Sequence, residues 1–267
     1  MSADSTSEQV RAKRFYVAEG DGFVPTGLST SPWRRDSQNG LALGLLMTHT
    51  LVRRPEAAQG HLARFTLDIL RPAPAALTTI AWRVARGGRR VQLLEGELIA
   101  GGEVSARASA LFVAPTGPPP PPREMHPPPV SPEDALERTV LARGTGVDTR
   151  LVERRTESPT GRQSLWVRVE ADVVPGAGAT PIGAAVAASD FGGSSLRDYS
   201  KEWTYPNLDI AVHFSRAPRG EWVHASTLPM MLGRGTAVID HHLSDRDGPF
   251  ARAHQTLFFG RIREDAP

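Results

Sequence analysis

The most continuous apolar stretch of the chain, NGLALGLLMTHTLVRR at residues 39–54, repeats its hydrophobic positions at helical spacing. Leu41, Leu45, Thr48 and Val52 follow one another at three- and four-residue steps, and Leu46 and Met47 widen the apolar side until it nearly closes. That pattern predicts a helix buried on most sides, since a surface helix keeps a polar face. The period then changes to two. HLARFTLDILRP, TTIAWRVARG, RRVQLLEGELIAG and EVSARASALFV predict four strands of an antiparallel meander with glycine-rich turns between them. The second half has the same order. TPIGAAVAASDFGG, at 180–193, predicts a shorter helix of smaller residues, with Pro181 near its start, where a missing amide hydrogen does no harm. LDIAVHFSR, EWVHASTLPM, GTAVIDHHLS and FARAHQTLFF predict strands again. KRFYVAEG before the first helix, and TRLVER and LWVRVEAD before the second, predict opening strands.

The halves match as a repeat. LDILRPAP resembles AVHFSRAPR, with Arg71 and Arg216 145 residues apart; GGEVSARASALFV resembles DGPFARAHQTLFF, with Leu111 and Leu257 146 apart. In this register Asp190 falls opposite Leu45. Between the halves lies APTGPPPPPREMHPPPVSPED, in which ten of 21 residues are proline. Proline has no amide hydrogen and keeps the residue before it out of the helical region, so a run of five, at 118–122, predicts an extended, semi-rigid spacer. The expected organisation is an N-terminal unit at 12–114, a Pro-rich linker at 115–132 and a C-terminal unit at 133–265.

Composition removes several classes of function. The chain has 267 residues, enough for two small domains, and a net charge of +2. Only Lys13 and Lys201 are lysines, and the arginines are scattered in pairs such as Arg34-Arg35 and Arg89-Arg90, so no nucleic-acid footprint is expected. Without cysteine there is no disulfide framework, thiolate nucleophile or Cys-ligated metal. No G-x-S-x-G, Walker A or H-E-x-x-H motif is present, and His241 and His242 point to opposite faces of a strand, so no metal site and no cofactor are expected. The polar N-terminus and the shortness of the apolar run at 40–52 predict a cytoplasmic protein without a membrane partner. Edge strands leave a homo-oligomer open.

One buried helix wrapped by a curled antiparallel sheet, twice in a chain, resembles the α+β double-hotdog arrangement. LDILRPAP, the Gly-Arg turn and strands of RGGRRVQLLEGELIAGGEVSARASALFV, AASDF, and SDRDGPFARAHQ together resemble acyl-CoA thioesterases of the type II, double-hotdog family. The resemblance implies an acyl-CoA or carrier-linked acyl substrate, and a water held against the thioester carbonyl by an Asp, a Gln and a Ser or Thr. By position the Asp is Asp190 and the Gln is Gln255. The hydroxyl falls on Ser226, Thr227 or even Leu228, because the chain is shorter than the family pattern between Trp222 and Arg234. The resemblance also brings the start of the first helix, Asn39-Gly40, to the acyl carbonyl, although the same two residues read equally well as a turn and an N-cap.

The residues have their own signals. Asp190 ends an apolar helix that Gly192-Gly193 is expected to terminate, and a carboxylate there opposes the helix dipole. Gln255 is the polar member of the row Ala251, Ala253, Gln255, Leu257 and Phe259. Alternation along WVHASTLP puts Thr227 on the apolar face with Val223 and Ala225, and Ser226 on the other. A catalytically silent double hotdog that binds acyl thioesters or a protein partner is the competing reading. A hydratase of the same fold would want a histidine shortly after the aspartate, and Phe191 to Ser195 hold none.

Overall fold

The computed structural model describes residues 13–114, 117, 130–135, 137–138, 146–153, 162–231 and 235–262; the proline run at 118–122 lies outside them. The N-terminal half contains β1 (Tyr16–Glu19), β2 (Gly22–Pro25), α1 (Gly40–Leu51), β3 (His61–Ile69), β4 (Thr78–Arg86), β5 (Val91–Ala100) and β6 (Glu103–Val113). The C-terminal half contains β7 (Glu137–Arg138), β8 (Val147–Glu153), β9 (Gln163–Val169), α2 (Pro181–Asp190), β10 (Trp203–Thr204), β11 (Asp209–Phe214), β12 (Trp222–Met231), β13 (Thr236–Asp245), β14 (Gly248–Phe258) and β15 (Gly260–Arg261). This is the α+β double hotdog. Thirteen strands form one antiparallel sheet in the order β1-β2-β4-β5-β6-β3-β11-β14-β13-β12-β9-β8-β7.

The halves join at β3 and β11. Ala211 pairs with Thr66 there, and the register runs outward from Asp209–Asp68 at one end to His213–Arg64 at the other. Thr66 and Ala211 are 145 residues apart, so a pseudo-twofold axis passes through this pair. The repeat read from Arg71 and Arg216 therefore has a physical seam. One core crosses it, with Leu45, Leu46, Met47 and Phe65 packed in the same cluster as Ala185, Val186, Ile210 and Phe250.

Both helices start on side-chain caps. Asn39 Oδ1 accepts from the Ala42 amide at 2.7 Å, and Thr180 Oγ1 accepts from the Gly183 amide at 3.0 Å, ahead of Pro181. Aligning the N-caps offsets the helices by 141 residues and sets Asp190 opposite His49, where the strand offset of 145 sets it opposite Leu45. The long excursion between α2 and β11 absorbs the difference between the helix and strand offsets. The α-helix ends at Asp190, with Phe191 as its C-cap, just ahead of Gly192-Gly193 as expected, but not through a left-handed glycine cap: the backbone tightens into a 3-10 segment, Phe191–Tyr199, and neither glycine takes a positive φ.

The helices pack antiparallel. A Cβ at Gly40 would stand 2.8 Å from Asp190 Oδ1, one at Gly44 2.6 Å from Val186 Cγ1, and one at Gly183 3.0 Å from Thr48 Oγ1. The start of α1 thus lies against the end of α2. Val130 accepts from Trp166 Nε1 on β9 at 2.5 Å and Pro132 accepts from Arg150 on β8 at 3.1 Å, so the residues leading into β7 are tied to those two strands. No helix among the described residues is long and apolar enough to cross a membrane.

Gly44→Ala separates two effects of opposite sign. Alanine favours the helix by about 1 kcal/mol, but its methyl would collide with Val186, and overpacking costs about 1–3 kcal/mol. A lowered denaturant midpoint is expected; an unchanged or raised midpoint would show that the helices separate without cost.

Candidate active site

The strand order β11-β14-β13-β12 places four polar side chains in a row. Asn207 leads into β11, Gln255 lies on β14, His241 on β13 and Thr227 on β12. Thr227 is directly opposite His241, while Gln255 is opposite Ile239 and so diagonal to His241. Inward alternation buries Gln255, His241 and Thr227 among apolar neighbours.

Hydrogen bonds join the row to α2. Asn207 Nδ2 donates to Asp190 Oδ1 at 2.8 Å and to Gln255 Oε1 at 2.8 Å. Gln255 Nε2 stands 3.4 Å from His241 Nε2, and His241 Nδ1 lies 3.0 Å from Thr227 Oγ1. A Cβ on Gly192 would fall inside contact distance of both His241 and Gln255. Close approach, not a left-handed turn, is what requires glycine there.

Asp190 and Gln255 are therefore one side chain apart. Asn207, which sequence reasoning missed, is the link between them. Extending the alternation back from Ile210 puts Leu208 inside and Asn207 outside. The structure has the reverse: Leu208 is 42% exposed and Asn207 is turned in, so the pattern slips where the strand begins. His241 did carry a signal, as the polar member of the row Ala237, Ile239, His241 and Leu243. Thr227 has its hydroxyl on His241 and hydrogen-bonds to neither Asp190 nor Gln255. Ser226 is half-buried on the opposite face, paired in register with Ser164 and His242. Neither hydroxyl lines the cavity at Asp190.

That cavity, of about 290 Å³, lies between the halves. Trp33, Leu43, Ile69 and Leu208 give it apolar walls, and Asn39, Gly40, Asp190 and Asn207 its polar end. The Asn39 side chain is committed to structure: besides capping α1, its Nδ2 donates to the Leu28 and Thr30 carbonyls at 3.0 and 3.1 Å. Gly40 offers a backbone approach at the first turn of α1, where amides lack intrahelical acceptors. Among the described residues no cluster could hold a metal ion.

Burial pushes the Asp190 carboxyl up to about 7. The amide of Asn207 and the positive end of α1 favour the ionised form, so the group is poised between acid and base rather than locked as an acid. Burial takes the His241 imidazole down to about 3, leaving it neutral. At the other end of the helix pair, burial and then Arg53 lower His49 to about 4. On the N-cap alignment the place opposite Asp190 thus holds a neutral ring, and on the strand register it holds Leu45; neither is a carboxylate, so the pseudo-symmetry does not extend to the chemistry.

The raised carboxyl has a stability cost. Between its ordinary 3.8 and about 7, the folded chain holds the proton more tightly than the unfolded chain does, so stability falls as pH rises through that window. Asp190→Asn removes this cost. At pH 8 the variant should unfold at a higher denaturant concentration than wild type, by about 2–4 kcal/mol, and the gain should shrink toward pH 4. An equal gain at both pH values would mean that the carboxyl is not perturbed.

Comparison with known proteins adds the family. The model for the acyl-CoA thioesterase N-terminal domain matches residues 29–113, and that for the acyl-CoA thioesterase C-terminal domain matches residues 122–259. No curated protein matches the chain in sequence. Among solved structures, a conserved protein with a hot dog fold from Alicyclobacillus acidocaldarius is similar at a TM-score of 0.71 and 17% identity, over 94% of this chain and 96% of that one. An acyl-CoA thioesterase II, TesB2, from Mycobacterium marinum is similar at 0.64 and 19%, over 84% and 89%. The tesB protein of Mycobacterium avium subs paratuberculosis is similar at 0.65 and 17%, over 95% and 99%. At these identities the likeness is one of fold. The two family matches follow each other in the same order as the two hotdogs and between them span most of the chain: the protein belongs to the acyl-CoA thioesterase family.

Proposed function

We propose that this chain hydrolyses acyl thioesters, of coenzyme A or of a carrier protein, with Asp190 as the general base. One observation carries the reading: a cavity-lining carboxyl, which burial pushes up to about 7, is joined through Asn207 to Gln255 and faces the first turn of α1. A base with a pKa of about 7 is substantially ionised from neutral pH upward yet still strong enough to take a proton from water. Asn207 uses both amide hydrogens on Asp190 and Gln255, which leaves its Oδ1 to accept from the same water. The water then gives one proton to Asp190 and directs a lone pair at the thioester carbonyl. First-turn amides at Gly40 stabilise the oxyanion that forms. The tetrahedral intermediate expels the thiolate, and the proton on Asp190 passes to it or to solvent.

Gln255 and Thr227 act in this scheme at different distances. Gln255 holds Asn207 from behind. Thr227 reaches the site only through His241, and Ser226 has no part in it. A silent acyl-thioester-binding protein is the second reading. It is favoured by the closure of Asp190 and Gln255 onto a single amide, an arrangement that satisfies their facing oxygens without a substrate.

A panel of acyl-CoAs of differing chain length, followed by release of free CoA, separates the two. The thioesterase reading expects turnover in wild type, a rise of kcat/KM through an apparent pKa of about 7, and a loss of about 10²–10⁴-fold in Asp190→Asn. Binding of acyl-CoA without release from any member of the panel would favour the silent reading.

A further inference from the structure

We propose that His241, seated on Thr227, is a positioning residue that fixes the Gln255 amide, and through Asn207 fixes the hydrogen bond on Asp190. The proposal deepens the thioesterase reading and rests on it for its catalytic meaning. It follows from donor and acceptor logic along the row. Asp190 Oδ1 is an acceptor, so the Asn207 atom 2.8 Å away must be its NH2 group. The second hydrogen of that group points to Gln255, which must present its carbonyl oxygen, as it does at 2.8 Å. The Gln255 NH2 is then turned to His241 Nε2, which must accept. A neutral imidazole that accepts at Nε2 carries its proton on Nδ1, and Nδ1 faces Thr227 Oγ1 at 3.0 Å. Every orientation is forced by its neighbour, and the chain ends on a hydroxyl that can receive the last hydrogen.

The surroundings hold this arrangement. His241 is 1% exposed, Gln255 1% and Thr227 3%, so no solvent competes for their polar atoms. Gly192 packs over His241 and Gln255 too closely for any side chain. The titratable side chains nearest His241 in sequence and register, Asp240, His242 and His254, project from the opposite face of the sheet, where Asp240 and His254 pair with each other at 2.5 Å. Without an acceptor at His241, the Gln255 amide is free to turn over. Its NH2 would then oppose that of Asn207, and Asp190 would lose the donor that favours its charge.

Three variants of the full chain test this: His241→Leu, which removes the acceptor; His241→Gln, which restores one near the Nε2 position; and Thr227→Val, which removes the partner that selects the tautomer. The first readout needs no substrate. Carbon-13 NMR of labelled aspartate, with the Asp190 signal assigned by its loss in Asp190→Asn, gives the carboxyl titration in each. His241→Leu should raise the Asp190 midpoint by about one pH unit, Thr227→Val should raise it by less, and His241→Gln should leave it near wild type. On acyl-CoA, His241→Leu should lower kcat about tenfold with little change in KM. An Asp190 midpoint unmoved in both His241→Leu and Thr227→Val would overturn the proposal and leave His241 as packing. If His241→Leu does not fold, the unmoved midpoint in Thr227→Val overturns it alone. A wild type without turnover would remove the thioesterase reading while the titrations still decide what His241 does.

Discussion

The site depends on the antiparallel contact between the two central helices. At the end of its own helix Asp190 meets a negative dipole, and burial adds a second penalty. The contact through Gly44 and Val186 brings the other helix alongside in the reverse direction, so the carboxylate also meets a positive end. Gly40 allows the approach, because a Cβ there would stand 2.8 Å from Asp190 Oδ1, inside contact distance. One half of the repeat therefore supplies the acid and the other half supplies the environment that lets it ionise. Separately, neither half has both.

The sheet supplies the rest. Strand order, rather than sequence proximity, assembles Asn207, Gln255, His241 and Thr227, which lie on four different strands or strand approaches. Each buried amide or imidazole would be costly alone. Set side by side they satisfy one another and hold a single orientation. The opposite end of the helix pair, near His49, has no carboxylate to match Asp190, so a pseudo-symmetric scaffold carries an asymmetric site.

Much of this was legible in the sequence. The helix at 39–54 and the meander strands follow from periodicity, and both α-helices described fall within the segments read for them. Asp190 and Gln255 stood out as polar residues in apolar rows, and the structure brings them to one amide. Asn207 was hidden because the strand shifts by one place at Leu208, and alternation then assigns the wrong face. Thr227 was read onto the inner face and lies there, but facing inward does not fix distance: a whole imidazole separates it from Gln255. Gly192 was read as a stop signal; its need for glycine comes from two side chains far away in sequence, which no local pattern contains.

The role proposed for Asp190 is to activate water rather than to attack the thioester itself. Single-turnover hydrolysis in oxygen-18 water, with enzyme in excess over acyl-CoA, distinguishes them directly. Direct attack of water puts one labelled oxygen into the fatty acid in the first turnover and none into Asp190. Unlabelled acid in that turnover, with the label recovered in the Asp190 carboxylate by mass spectrometry, would mean a covalent anhydride and would contradict the role given to the base.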